Sequence, residues 1–248
     1  MIVETREAVR PTGRPGKMKR MLGALSQRIR SLTQTKKERR HALVGPAHLW
    51  KMKRDFQIRF LKNKNLKPEH YLLDIGCGTL RGGIPLIDYL QDGHYFGVEA
   101  RAEVLEEGRK ELREAGLEGK NPTLFVCPDI SRFMIDREFN FIWAFSVLIH
   151  MSDEILNDTL AFVNKHLSEK GVFYANVNIG ERPDSTWEGF PLVARTLEFY
   201  KQACAKHGLV VSDLGPLKDH GHVVKPVLDA GSEDSKRILR ITKTGAPA

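Results

Sequence analysis

From Tyr71 onward the chain alternates between short apolar runs and stretches whose apolar residues recur every three or four positions. The runs Tyr71–Ile75, Tyr95–Glu99, Thr123–Cys127, Phe141–Ser146, Val172–Val177, Leu209–Asp213 and Arg237–Ile241 have the length and composition of strands. Helical spacing fills Gly83–Leu90, Arg101–Ala115, Asp153–Leu167 and Leu192–His207, with a short link near Asp129–Asp136 that follows neither pattern. Strands alternating with helices need right-handed crossovers, and so predict a mainly parallel sheet covered on both faces. Only GPLKDHGHVVKPVLDAGSEDSK separates the last two strands, which predicts a long antiparallel hairpin closing the sheet.

Upstream, VGPAHLWKMKRDFQIRFLKNKN predicts a helix with Pro46 in its first turn and Leu49, Met52, Phe56, Ile58, Phe60 and Leu61 facing the core. Further back, Met18–Arg30 has apolar residues at helical spacing with basic residues between them, after a Pro-, Gly- and Arg-rich start. The 248 residues are 41% apolar, enough for one sizeable core. The net charge of +8 is uneven: residues 1–41 hold twelve basic and three acidic side chains, and the remainder holds 27 and 28. The chain therefore divides into a basic flexible or helical arm, 1–41, and a near-neutral domain, 42–248. A neutral domain weighs against nucleic acid as the main ligand. The arm suits a helix packed on the domain or a second subunit, or contact with an anionic membrane surface, an anionic substrate or nucleic acid. No apolar run approaches the roughly 18 residues of a membrane span, and no signal-peptide core is present. Cys77, Cys127 and Cys204 are too far apart for a metal spacing, which points to a reducing compartment. A cytoplasmic protein, peripheral to the membrane if the arm docks there, is expected; its oligomeric state is not legible.

The chemistry concentrates in LLDIGCGTLRGG. Gly76 and Gly78 give a turn without side chains at the carboxyl end of a strand, where ligands of open parallel sheets bind. A dinucleotide fingerprint would need glycine at Arg81, and Asp74 would lie close to the pyrophosphate. An S-adenosylmethionine site suits the acid instead, since that ligand carries sulfonium and ammonium charges. Glu99 ends the second strand and can accept both ribose hydroxyls, a feature common to both ligands.

LLDIGCGTLRGG, YFGVEA, VCPDI, FNFIWAFSVLIHM and LSEKGVFYANV, in this order, resemble the motifs of the class I S-adenosylmethionine-dependent methyltransferases over about Tyr71–Thr242. The resemblance implies an α/β fold: a Rossmann-like, doubly wound seven-stranded sheet, mainly parallel with an antiparallel last strand, here preceded by the helical basic arm. It implies S-adenosylmethionine as cofactor and S-adenosylhomocysteine as product. Asp74, Gly76, Cys77 and Gly78 would cradle the methionine end, Glu99 the ribose, and Ala100 and Arg101 the adenine surroundings. Asp129 would reach the adenine amino group, unless it caps a helix, with Ile130 beside the ring and Ser146 and Val147 beneath the sulfonium. Leu80 departs from the third glycine of many members and would alter the turn slightly, leaving its backbone donors.

His150, in SVLIHMSDE, is the candidate base or positioning residue, because histidine titrates near neutral pH; a loop histidine bonded to backbone is the plainer reading. Ser152 or Asp153 would cap the next helix. The fourth strand continues as FSVL and not NPPY, which by resemblance argues against methylation of base amino groups. Other candidates near the acceptor are His48, Trp50, Lys53, Arg54, Trp187, Tyr200, Asp219, His220 and His222. Trp50 is most simply core, and Arg81 most simply pairs with Asp55 or Asp88, or else anchors a substrate anion. KDHGH is a weak metal signal, and no metal is expected. The expected activity is methyl transfer to a hydroxyl or carboxyl oxygen of a small-molecule or glycan-like acceptor. Alternatives are N-methylation of a phosphorylated amino alcohol, an RNA-associated methyltransferase using the arm, and a silent cofactor-binding scaffold.

Overall fold

The computed structural model describes residues 35–187, 189–222 and 230–246. The chain divides into two compact units, Met1–Arg39 and Arg40–Ala248. The amphipathic basic segment expected at Met18–Arg30 lies outside the described residues. Helix α1 (Lys36–Ala42) starts at a reciprocal cap: Glu38 N–H donates to Thr35 Oγ1, and Thr35 N–H donates to Glu38 Oε2 at 2.8 Å.

In the larger unit, Pro46 opens a short 3-10 turn, Ala47–Leu49, which leads into α2 (Trp50–Asn63). Then follow β1 (Leu72–Ile75), α3 (Gly83–Tyr89), β2 (Tyr95–Glu99), α4 (Ala102–Glu114), β3 (Thr123–Val126) and β4 (Phe139–Ala144). The second half runs α5 (Asp153–His166), β5 (Leu167–Asn178), β6 (Ser185–Trp187), β7 (Phe190–Leu192), α6 (Leu197–Ala205), β8 (Leu209–Pro216), α7 (Ala230–Ser235) and β9 (Lys236–Lys243). Seven strands form one sheet in the order β3-β2-β1-β4-β5-β9-β8; β9 alone runs antiparallel to its neighbours. This is the expected architecture. All four β1 residues are buried, as in a strand covered on both faces.

Two cores flank the sheet. Phe56, Phe60 and Leu61 of α2, Leu86 of α3 and Leu105 of α4 pack with Trp143 on one face. Leu156, Leu160 and Val163 of α5 and Tyr200 and Cys204 of α6 fill the other. The buried Trp143 indole N–H donates to Gln57 Oε1 at 2.9 Å, which satisfies its one polar atom.

Three segments differ from the sequence expectation. The helix expected from Leu192 begins only at Leu197, capped by Thr196 Oγ1, because Ser185–Trp187 and Phe190–Leu192 pair first as a small hairpin. The link before the last strand, expected as plain hairpin, contains the 3-10 turn Leu217–His220 and α7. Leu80 does not alter the glycine turn: it holds the left-handed φ of 58° itself, and its side chain is fully buried.

Leu80 therefore combines an unfavourable backbone with favourable packing. Relieving a left-handed φ gains about 1–2 kcal/mol, and removing a buried leucine side chain costs roughly 2–5 kcal/mol. Leu80→Gly is expected to lose stability by roughly 2–3 kcal/mol in urea titrations; a more stable variant would mean that strain outweighs packing.

Candidate functional site

The cleft begins where β1 and β2 stop. After Ile75 the chain turns through Gly76 and Gly78 at φ of 70° and 58°. A Cβ on Gly76 would lie 2.4 Å from a Val147 methyl, and one on Gly78 would lie 2.7 Å from a Val44 methyl. Both glycines are thus required by backbone and by space. The N–H groups of Gly76 and Cys77 donate to Val98 O at 2.7 and 3.1 Å, and that of Gly78 to Glu99 Oε2 at 3.0 Å. These donors, expected to face a ligand, are satisfied within the protein; the turn offers it a bare surface.

Glu99 ends β2 with its carboxylate buried in the cleft wall. Its second oxygen accepts Arg101 N–H at 3.1 Å and Arg101 Nε–H at 3.2 Å. Asp74, on β1, accepts the Tyr95 hydroxyl at 2.7 Å. Burial pushes Asp74 up to about 7; the Tyr95 hydrogen bond and the Arg81 charge oppose this, and the Glu99 charge adds to it. Two buried acids side by side form a pole suited to a cation and hostile to a phosphate.

The chain leaves β4 through Ser146, whose φ of 60° is left-handed and whose N–H donates to Asn176 Oδ1 at 2.6 Å. That turn feeds a 3-10 turn, Leu148–His150, followed by α5 with Ser152 Oγ as its cap. The Nδ1 of His150 lies 2.7 Å from Pro191 O. A carbonyl only accepts, so Nδ1 carries a proton and Nε2 is the basic nitrogen of the neutral ring. Burial draws His150 below its ordinary value, against the Pro191 hydrogen bond, and the Lys53 and Arg101 charges lower it further.

Two segments wall this floor. Residues 42–46 run along one side, with Arg81 donating to Val44 O at 2.8 Å. The chain just before them is held by Arg40, which reaches Glu107, Glu111 and Glu114 of α4 at 3.0, 3.0 and 2.8 Å. On the other side, Phe190 and Leu192 of the β6–β7 hairpin line the cleft. The enclosed volume is about 800 Å³, within the range of small-ligand sites.

The structure brings together Asp74, Gly76, Cys77, Gly78, Arg81, Glu99, Ala100, Arg101, Ile130, Ser146, Val147 and His150 around this cleft. It does not bring in every candidate. Asp129 does not line it: its exposed carboxylate accepts from Ser131 N–H and Oγ–H, capping the turn Ile130–Arg132. Trp50 is buried against the His41 ring, with centroids 3.9 Å apart, and Arg54 pairs with Asp55 beside it. His220 bonds to Leu214 O at 2.9 Å. His222, 4% exposed, is packed edge-on against Phe56 and Phe145 with both ring nitrogens unpartnered, and burial drops it to about 4. Tyr200 is core. Trp187 closes β6, and its side chain lies outside the described residues. Arg81 makes neither expected ion pair; it is held by the Val44 carbonyl and faces Asp74. Among the described residues no three His, Cys, Asp or Glu converge on a metal-sized site, and no helix is long and apolar enough to cross a membrane.

Sequence reasoning missed the wall residues Val44, Phe190 and Leu192, and it missed Gln57 and Lys236. Gly45-Pro46 was a legible sign of a turn before α2. Nothing local marks Lys236, which reaches the cleft only because β9 inserts beside β5.

Comparison with known proteins gives the same picture. No curated protein matches the sequence significantly. Among solved structures, the magnesium protoporphyrin IX methyltransferase of Synechocystis PCC 6803 with bound S-adenosylmethionine superposes with a TM-score of 0.60 at 13% identity, covering 88% of this chain and 96% of that one. An S-adenosylmethionine-dependent methyltransferase of Clostridium acetobutylicum gives 0.56 at 17%, covering 92% and 100%. A glycopeptide N-methyltransferase with S-adenosylhomocysteine gives 0.58 at 16%, covering 76% and 89%. At these identities the likeness is one of fold. Residues 73–173, which hold the glycine turn, Glu99 and His150, match the family model described as a methyltransferase domain. Residues 73–173 thus carry a methyltransferase domain, on a fold shared with S-adenosylmethionine-dependent methyltransferases.

Proposed function

We propose that this methyltransferase acts on an oxygen of a small-molecule or glycan-like acceptor, a hydroxyl in preference to a carboxyl, with His150 as the base. The observation that carries the reading is the Nδ1–Pro191 hydrogen bond, which fixes the tautomer with Nε2 as the basic nitrogen. A hydroxyl acceptor must lose its proton as the new bond forms, whereas a carboxylate needs no base. A protonated amine would meet the charges of Lys53 and Arg81 in the same cleft, which disfavours nitrogen.

The cleft fits the cofactor by the chemistry of its donor set: two buried carboxylates and a side-chain-free turn. On this reading Asp74, Gly76, Cys77 and Gly78 lie along the methionine end, and Glu99 takes the ribose hydroxyls, one on the free lone pair of Oε2 and the other in place of the Arg101 Nε–H. Ala100, Arg101 and Ile130 border the adenine, while Ser146 and Val147 lie beneath the sulfonium. S-adenosylmethionine supplies a methyl group already activated by its positive sulfur. The remaining task is alignment and exclusion of water, which fall to the 42–46 strap and to Phe190 and Leu192. His150 Nε2 accepts the hydroxyl proton, and its depressed basicity keeps it unprotonated at neutral pH.

Three measurements test this. Titration calorimetry should give micromolar binding of S-adenosylmethionine and S-adenosylhomocysteine, weakened roughly 100-fold in Glu99→Ala, since two charge-assisted hydrogen bonds are lost; a folded wild type that binds neither ends the reading. His150→Gln should lower kcat on a hydroxyl acceptor by about 10²–10⁴ while leaving S-adenosylhomocysteine affinity within about twofold. The wild-type rate should rise with pH up to a plateau reached below neutrality; an unchanged rate in the variant removes His150 as base.

Asp74 gives the third. Between the ordinary carboxyl range and about 7, the folded protein holds a proton that the unfolded chain does not. Ligand-free stability should therefore fall as pH rises through that window, and Asp74→Asn should flatten the fall. A cationic ligand favours the charged carboxylate, so S-adenosylmethionine should bind more tightly at pH 8 than at pH 6. Calorimetry in buffers of different ionisation enthalpy should record proton release near pH 7; no release means that the ligand does not face Asp74.

A further inference from the structure

The acids of the cleft have hydrogen-bond partners, but among the described residues two of its cations have no carboxylate within ion-pair distance. Arg101 is bonded to Glu99, and Lys236, at the start of β9, is paired with Glu233. Lys53, from α2, lines the cleft and has no carboxylate partner among the described residues. Arg81, 7% exposed, gives one N–H to Val44 O, while its buried Nε–H has no acceptor. Burying an ammonium or a guanidinium N–H without a counter-group is costly. The three cations are close enough to act on one another: burial first, then the charges of Arg81 and Lys236, lowers Lys53 to about 8.

Position separates this cluster from the acidic pole. Lys53 Nζ lies beside Gly45 on the strap, 3.7 Å from where a Cβ would stand. Its charge is also felt at His150. It thus borders the strap within reach of the proposed base, which on the reading that His150 faces the acceptor puts it on the acceptor side. Arg81 joins the two regions, its charge acting on both Asp74 and Lys53.

We propose that Lys53, with Arg81 and Lys236 beside it, is an anion subsite that holds a carboxylate or phosphate group of the acceptor while another of its groups is methylated. The acceptor is then an acidic small molecule, not a neutral alcohol. This rests on the reading that His150 faces the acceptor and that the cofactor's amino-acid end lies at Asp74. The same chemistry could be supplied by the cofactor's own carboxylate, and the experiment separates the two sources.

The probe is inorganic phosphate against sodium chloride at matched ionic strength, read as the melting temperature of the full chain with and without saturating S-adenosylhomocysteine. Phosphate should stabilise the S-adenosylhomocysteine-loaded wild type beyond chloride. Lys53→Gln should weaken that response at least about tenfold in concentration, the scale of one charge-assisted hydrogen bond. Lys53→Arg should retain it, and both variants should bind S-adenosylhomocysteine within about twofold of wild type. Three results would overturn the proposal: no phosphate-specific stabilisation, phosphate competing with S-adenosylhomocysteine, or a tenfold or larger loss of S-adenosylhomocysteine affinity in Lys53→Gln. The last two would assign the charge to the cofactor's carboxylate. If the wild type fails to bind S-adenosylhomocysteine but keeps a Lys53-dependent phosphate response, the cofactor placement fails and the anion subsite stands.

Discussion

Two carboxylates buried at the ends of adjacent parallel strands set the terms for the rest of the site. A buried carboxylate must be hydrogen-bonded, paired or protonated. Glu99 takes the first course, binding the N–H groups of Gly78 and Arg101 and so tying the glycine turn to the entry of α4. Asp74 has one hydroxyl and a nearby guanidinium, which is less than it needs, and it moves toward protonation. Glu99 thereby shapes the floor, while Asp74 is an adjustable acid that a positive ligand would recharge.

The sheet keeps these groups in place because its central strands are buried on both faces and cannot shift without opening two cores. The walls are built otherwise. Residues 42–46 are held by the Arg40 cluster on α4 before them, by α2 after them, and by the Arg81 and Arg101 guanidiniums, which donate to Val44 O and Leu43 O. The β6–β7 hairpin pairs with itself and meets the floor through hydrogen bonds from His150 to Pro191 O and, just past β7, from Val193 N–H to Ile149 O and from Asn178 Nδ2–H to Val193 O. A rigid floor for the common reactant and separate walls for the particular one is a division that the hydrogen bonding itself expresses.

How much of this was legible depends on how local each cause is. The strands and crossovers were readable because a covered parallel strand must be apolar throughout, and the glycine turn because only glycine fits there. The ends of β2 and the start of α5 were set by residues next to them, Glu99 and Ser152. What failed to show had distant causes. Leu80 keeps a conformation that sequence assigns to glycine, because its side chain is packed by Gly83 and Gly108 from other turns. Arg81 looked like an ion-pair residue, but the strap carbonyl it reaches lies 37 positions earlier. Asp129 carried both a binding and a capping reading, and the serine two residues on takes its carboxylate. The β6–β7 pairing has no strong alternation to announce it, and Pro191 and Gly189 read equally well as loop.

The Nδ1 of His150 bonds to a main-chain carbonyl. Any residue at 191 whose backbone can follow the same path would present that oxygen. The hairpin's side chains Phe190 and Leu192 line the cleft, while its backbone holds the ring proposed as the base. On the proposed reading, change at Leu192 can recut the acceptor wall without touching the His150–Pro191 hydrogen bond, whereas Phe190, whose ring centroid lies 6.2 Å from that of His150, bears on both. On that reading, a laboratory seeking new acceptors would find at Leu192 a position for diversification that leaves the chemical step intact, and a lineage under natural selection would find the same freedom.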